Sequence, residues 1–148
     1  RSEAPQKLEQ VANCSILKIY SFDKDNPLDF SWLVKAVLND LQNGVPRSEI
    51  ASAFHRTYAA MWCVELTKQA VRQKLSRVVL CGGVFQNKLL VDILMPMLRQ
   101  LGLQPYLPAS VPCNDAGIAV GQMAVTAAWI EQSMNHNDKR HARVVVGL

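Results

Sequence analysis

Apolar positions along the chain fall into short runs and helical stripes that alternate. Residues 16–20 (ILKIY) are β-branched and aromatic and end at turn formers in residues 23–27, so they predict a strand. Trp32, Leu33, Ala36, Val37 and Leu41 recur at helical spacing, with Asp29 or Ser31 as the cap and Gly44 beyond the last turn. Pro46 then opens a long helix that runs to about Lys74 with no further proline. Its mostly apolar stripe is Ile50, Ala53, Phe54, Met61, Val64, Glu65, Thr67, Lys68 and Val71, with a polar reverse.

Residues 77–81 (RVVLC) form a short run, apolar after Arg77, as expected of a strand covered on both faces, and lead straight into Gly82-Gly83. A helix resumes near Asn87, with Leu89, Leu90, Ile93, Leu94, Met97, Leu98 and Leu101 on one face and Gly102 as its stop. Pro96 inside that pattern is expected to kink the helix or shift its start. Residues 104–107 predict a second short strand and residues 108–112 a loop. Residues 116–132 predict a last helix, capped by Asn114 or Asp115. Its Gly117, Ala119, Gly121, Ala124 and Ala127 would allow very close packing.

The order strand, helix, long helix, strand, helix, strand, helix calls for a parallel pair of strands with a crossover helix. The expected fold class is α/β, with short parallel strands packed by helices. Residues 14–132 make the domain. Residues 1–13 are a polar segment, either a frayed end or the tail of an element that began upstream. Residues 133–148 are expected to be a disordered polar tail, with the valines at 144–146 as a possible edge strand.

Composition narrows the class. The 148 residues are 49% hydrophobic and 19% charged, which excludes a largely disordered chain. No apolar run reaches the ~18 residues of a membrane span, and no secretory signal opens the chain. The +4 charge comes from scattered Lys and Arg, a solvated basic face rather than a nucleic-acid reader. Cys14, Cys63, Cys81 and Cys113 show no metal spacing and read as reduced thiols of a cytoplasmic protein.

Two segments carry candidate chemistry. In residues 80–87 (LCGGVFQN) a strand ends in two glycines before a helix. Glycines let a backbone turn sharply and approach a ligand, and the following helix N-terminus offers unpaired N–H groups to phosphate. A plain strand-to-helix turn explains the same residues equally well. In residues 113–121 (CNDAGIAVG) Asp115 is most simply a helix cap, or else a carboxylate that holds a cation. Both segments would lie at the carboxyl ends of strands, where ligands bind in open α/β sheets.

Taken together, residues 81–90 and 112–122, with the helical stretch 51–57, resemble the C-terminal end of the hydrogenase maturation carbamoyltransferases, the HypF family. The resemblance covers about residues 27–130. It implies a ribonuclease-H-like lobe of the actin/Hsp70/sugar-kinase fold. It also implies an enzyme that uses carbamoyl phosphate and ATP, through carbamoyl adenylate, to carbamoylate the C-terminal cysteine of HypE. On this resemblance Gly82, Gly83, Asn87 and Asn114 would lie at the nucleotide, and Asp115 would hold a divalent metal (zinc, iron or magnesium) between lobes. The family usually has Ser at Cys81 and Gly at Ala116. The superfamily's H-x-x-x-H metal pair has no counterpart here, where the only histidines are His55, His136 and His141. His55 is therefore expected to be a packed or hydrogen-bonded helix residue. The isolated chain is expected to be a fragment or truncated copy and inactive alone. A small-molecule O-carbamoyltransferase fragment and a non-catalytic interaction module are the alternatives.

Overall fold

The computed structural model describes residues 3–135. In chain order it contains α1 (Glu3–Val11), α2 (Ser31–Gln42), α3 (Arg47–Gln73), β1 (Arg77–Val79), a 3₁₀ turn (Gly83–Gln86), α4 (Lys88–Gln100), β2 (Gln104–Tyr106) and α5 (Ala116–Asn135). The strands pair in parallel, with Arg77 opposite Gln104 and Val79 opposite Tyr106, and α4 is the crossover between them. This is the α/β arrangement the alternation of elements predicts.

The long helix α3 organises the fold, but not by the expected stripe. Its buried residues run from Ile50 to Cys63 and include Ala51, Ser52, His55 and Thr57 from the supposed polar reverse. Val71, assigned to the stripe, is 74% exposed. The reason is that α1, α2 and α4 all pack against α3, so its first half is covered on several sides. One cluster joins Ala59 and Cys63 to Leu80, Leu90, Leu94, Leu98 and Leu103. A second joins Ala53 and Met61 to Tyr20 and Leu33. The buried polar residues Ser52, His55 and Thr57 are all bonded, as burial requires, whereas the buried indole N–H of Trp32 has no hydrogen-bond partner among the described residues. Thr57 Oγ1 donates to the Ala53 carbonyl at 2.6 Å, and Ser52 Oγ accepts from the Asn13 N–H at 2.7 Å.

Residues 16–20 do not form the predicted strand. Their backbone groups go to side chains of α3 instead. Arg56 donates to the carbonyls of Ile16 and Cys14 at 2.7 and 3.0 Å, and the Tyr20 N–H donates to Thr57 Oγ1 at 2.9 Å. A strand needs a neighbouring ladder, and the sheet among the described residues has only β1 and β2. Lys18 Nζ and Tyr20 OH fasten the segment to the Asp40 carboxylate of α2, each at 2.7 Å. Those bonds, first from Lys18 and then from Tyr20, hold the Asp40 carboxyl below the usual carboxylate range.

Two further expectations are corrected, and the open reading of the N-terminal segment is narrowed. The strand β1 is covered on one face only: Leu80 just beyond it is buried, whereas Val79 is 68% exposed. Polar residues 3–11 form a helix, α1. The small residues of α5 do not produce close packing, because no residue from 116 to 132 is buried. The exception is Gly117, where a Cβ would stand 2.3 Å from the Pro112 carbonyl oxygen; at Gly121 it would meet nothing within 4 Å. Helix α4 runs through Pro96 as one element. Helix α5 continues past residue 132 to Asn135, and the valines at 144–146 lie outside the described residues. Among the described residues no helix is long and apolar enough to cross a membrane.

Candidate ligand-binding loops

The chain leaves β1 through Leu80 and Cys81 and turns at Gly82, whose φ of +109° and ψ of 160° favour glycine. Gly83 has no such need: its φ is not positive, and a Cβ there would meet nothing within 4 Å. Among the described residues no packing asks for glycine at 83. The turn Gly83–Gln86 that follows has first N–H groups without acceptors inside the turn, by its geometry.

The N-terminus of α4, in contrast, is closed. The Leu89 N–H donates to the Glu9 carboxylate of α1 at 3.0 Å. The Leu90 N–H donates to Asn87 Oδ1 at 2.8 Å, and the Val91 N–H to the Asn87 carbonyl at 3.2 Å. The phosphate role expected of this helix end is therefore filled by the chain's own acceptors. Asn87 is its cap, and a carboxylate already sits at the positive end of the dipole.

Asn87 is also tied to α3. His55 Nδ1 lies 2.7 Å from the Ala51 carbonyl, which can only accept, so the proton is on Nδ1. Nε2 is then an acceptor and takes a hydrogen bond from Asn87 Nδ2 at 2.9 Å. His55 is the residue that sequence reasoning undervalued. It was rightly placed as a bonded helix residue, but its partner lies 32 positions away and no local signal names it.

The second motif follows β2. Asn114 Oδ1 accepts from the Ala116 N–H at 3.1 Å and caps α5, and the Gly117 N–H donates to the Asn114 carbonyl at 2.9 Å. Asp115 is exposed, so its carboxylate faces solvent beside the cap. The two motifs meet directly: the Gly82 N–H donates to the Cys113 carbonyl at 2.6 Å. Two loops separated by thirty residues of chain are thus joined at the carboxyl ends of the parallel strands.

Residues 1–122 match the family described as "Carbamoyltransferase, Kae1-like Domain, second subdomain". The chain belongs to this family. It is 37% identical over 101 residues to the carbamoyltransferase HypF of Rhizobium leguminosarum bv. viciae, covering 68% of this chain and 13% of that protein. It is 30% identical over 103 residues to a probable bifunctional tRNA threonylcarbamoyladenosine biosynthesis protein of Methanosphaera stadtmanae, covering 69% of this chain and 19% of that protein. In three dimensions it resembles full-length HypF in its phosphate- and nucleotide-bound form. That likeness has a TM-score of 0.76 and 27% identity, over 86% of this chain and 17% of that one. The chain therefore spans under a fifth of the length of each of these relatives.

Within this carbamoyltransferase subdomain Asp115 does not make a metal centre by itself. Zinc and most iron sites need three or four protein ligands, and among the described residues no three His, Cys, Asp or Glu side chains stand together. Both ring nitrogens of His55 are engaged inside the chain, in keeping with the bonded helix residue expected there. Beside Cys81 lies an apolar groove of about 300 Å³ between Tyr58, Trp62 and Leu66 of α3, Val79 of β1, and Val84 and Phe85 of the turn. It has no charged lining and is unsuited to phosphate.

Proposed function

We propose that this chain supplies the phosphate-cradling part of a HypF-type carbamoyltransferase, which carbamoylates the C-terminal cysteine of HypE from carbamoyl phosphate and ATP by way of carbamoyl adenylate. The observation that carries the reading is the Gly82 N–H to Cys113 carbonyl bond, which unites the two motifs into one ledge at the strand ends. Gly83 leaves the ledge open to an incoming phosphate. Asn87 and Asn114 act mainly by fixing the ledge, since both side chains cap helices. Asp115 offers one carboxylate to a divalent cation whose other ligands come from outside the described residues. A cytoplasmic setting belongs to the same reading.

The test joins two assays. The purified 148-residue chain, given labelled carbamoyl phosphate, ATP and HypE, is expected to transfer no label, and robust transfer would refute the division of the site. In a full-length HypF carrying this segment in place of its own, Gly83→Val and Asp115→Ala are each expected to cut adenylate-dependent transfer severely. Survival of transfer in both variants would remove the ledge from the active site. The likeness to the Methanosphaera stadtmanae protein supports a second reading, threonylcarbamoyl transfer to tRNA. Offering that same chimaera labelled threonylcarbamoyl adenylate and tRNA separates the two by acceptor.

A further inference from the structure

A cysteine stands at each end of the strut that joins the two loops, Cys81 before Gly82 and Cys113 at the acceptor carbonyl. The ladder ends at Val79 opposite Tyr106, followed by the Leu80 N–H donating to the Tyr106 carbonyl at 2.8 Å. Beyond it the Gly82 N–H donates to the Cys113 carbonyl at 2.6 Å, which brings the peptide that follows Cys81 onto the carbonyl of Cys113 itself. Covalent geometry sets the limit. Each Cα is two bonds, ~2.4 Å, from its end of that hydrogen bond, so the Cα atoms are at most about 7.4 Å apart, and less because the path bends. Disulfides span Cα separations of about 4.4–6.8 Å.

We infer that Cys81 and Cys113 form a reversible disulfide, an oxidation site that clamps the glycine turn to the 113–115 loop. Its co-reactant is a low-molecular-weight disulfide such as oxidised glutathione. Cys81 is exposed and Cys113 half-buried, so Cys81 reacts first, as the nucleophile. Its thiolate displaces one glutathione thiolate and forms a mixed disulfide. The Cys113 thiolate then attacks the Cys81 sulfur and expels the second glutathione. Two protein thiols give up two electrons and two protons, and one glutathione disulfide becomes two glutathiones. Cys63 stays out of this chemistry, because burial pushes its thiol up to about 11 and keeps it protonated. The inference holds whatever ligand the loops take.

The test treats the folded chain with glutathione disulfide, blocks remaining thiols, and maps tryptic peptides by mass spectrometry. A peptide joining residues 78–88 to the Cys113 peptide is expected, with free thiols falling from the four of the reduced chain toward two. Cys81→Ser and Cys113→Ser each abolish the linked peptide, and Cys113→Ser accumulates a glutathione adduct on Cys81. Cys63→Ser leaves the link intact. Glutathione adducts on wild-type Cys81 without a linked peptide would overturn the inference. So would an equal yield of linked peptide from the chain unfolded in urea, since proximity would then owe nothing to the fold.

Discussion

Helices α3 and α5 invert the usual relation between composition and burial. Helix α5 carries no charged residue before Glu131, yet none of its residues 116–132 is buried. Helix α3 carries Arg47, Glu49, Arg56, Glu65, Lys68 and Arg72, yet its first half is the centre of the fold and takes Ser52, His55 and Thr57 inside with it. The difference lies in neighbours. Helices α1, α2 and α4 all pack on α3, and these three polar residues find partners there. Apolar character is a capacity for burial, and only an opposing surface turns it into stability.

A matched pair of truncations is the severest way to break this comparison. Met61 of α3 is fully buried and Met123 of α5 is 72% exposed. Met61→Ala is expected to lower stability by about 2–5 kcal/mol, the usual cost of a core cavity, and Met123→Ala by less than about 0.5 kcal/mol. Urea denaturation of the two variants measures both. Equal losses would mean that α5 is as well buried as α3.

A smaller effect sharpens the polar side of the contrast. His55→Ala leaves Asn87 Nδ2 without its partner and is expected to cost about 1–3 kcal/mol. Because Asn87 caps α4, the Leu90 amide should also exchange hydrogen faster in this variant. Unchanged exchange would show that the cap stands without the histidine.

The mildest test sits within α5 itself. Gly117→Ala drives a Cβ against the Pro112 carbonyl and is expected to destabilise the chain by about 1–2 kcal/mol. Gly121→Ala meets open space in mid-helix and is expected to stabilise by about 0.5–1 kcal/mol through helix propensity. Thermal melts that rank the two the other way would reverse the assignment of which glycine is structural.

Legibility in the sequence followed the range of the forces involved. Both short strands, their parallel pairing and the four longer helices were readable, because apolar periodicity, caps and glycine stops act over a few residues. The strand expected at residues 16–20 failed for a long-range reason: Arg56 and Thr57, about forty positions away, claimed its backbone groups. The closed end of α4 was equally hidden. Nothing near Leu89 announces that Glu9, eighty positions earlier, will accept its N–H.

The two motifs, the glycine turn at 82–83 and the Asn114-Asp115 cap, were determined by the chain alone, as was membership of an α/β carbamoyltransferase family. Only the tertiary structure decided which parts of those motifs face outward. It gave Asn87 to His55 and to α4, gave Gly117 to Pro112, and left Gly83 and Asp115 open beside the strut from Gly82 to Cys113. The physical reason is hydrogen-bond satisfaction. A sequence states which donors and acceptors exist, and folding decides which of them are consumed by neighbours and which remain for a ligand.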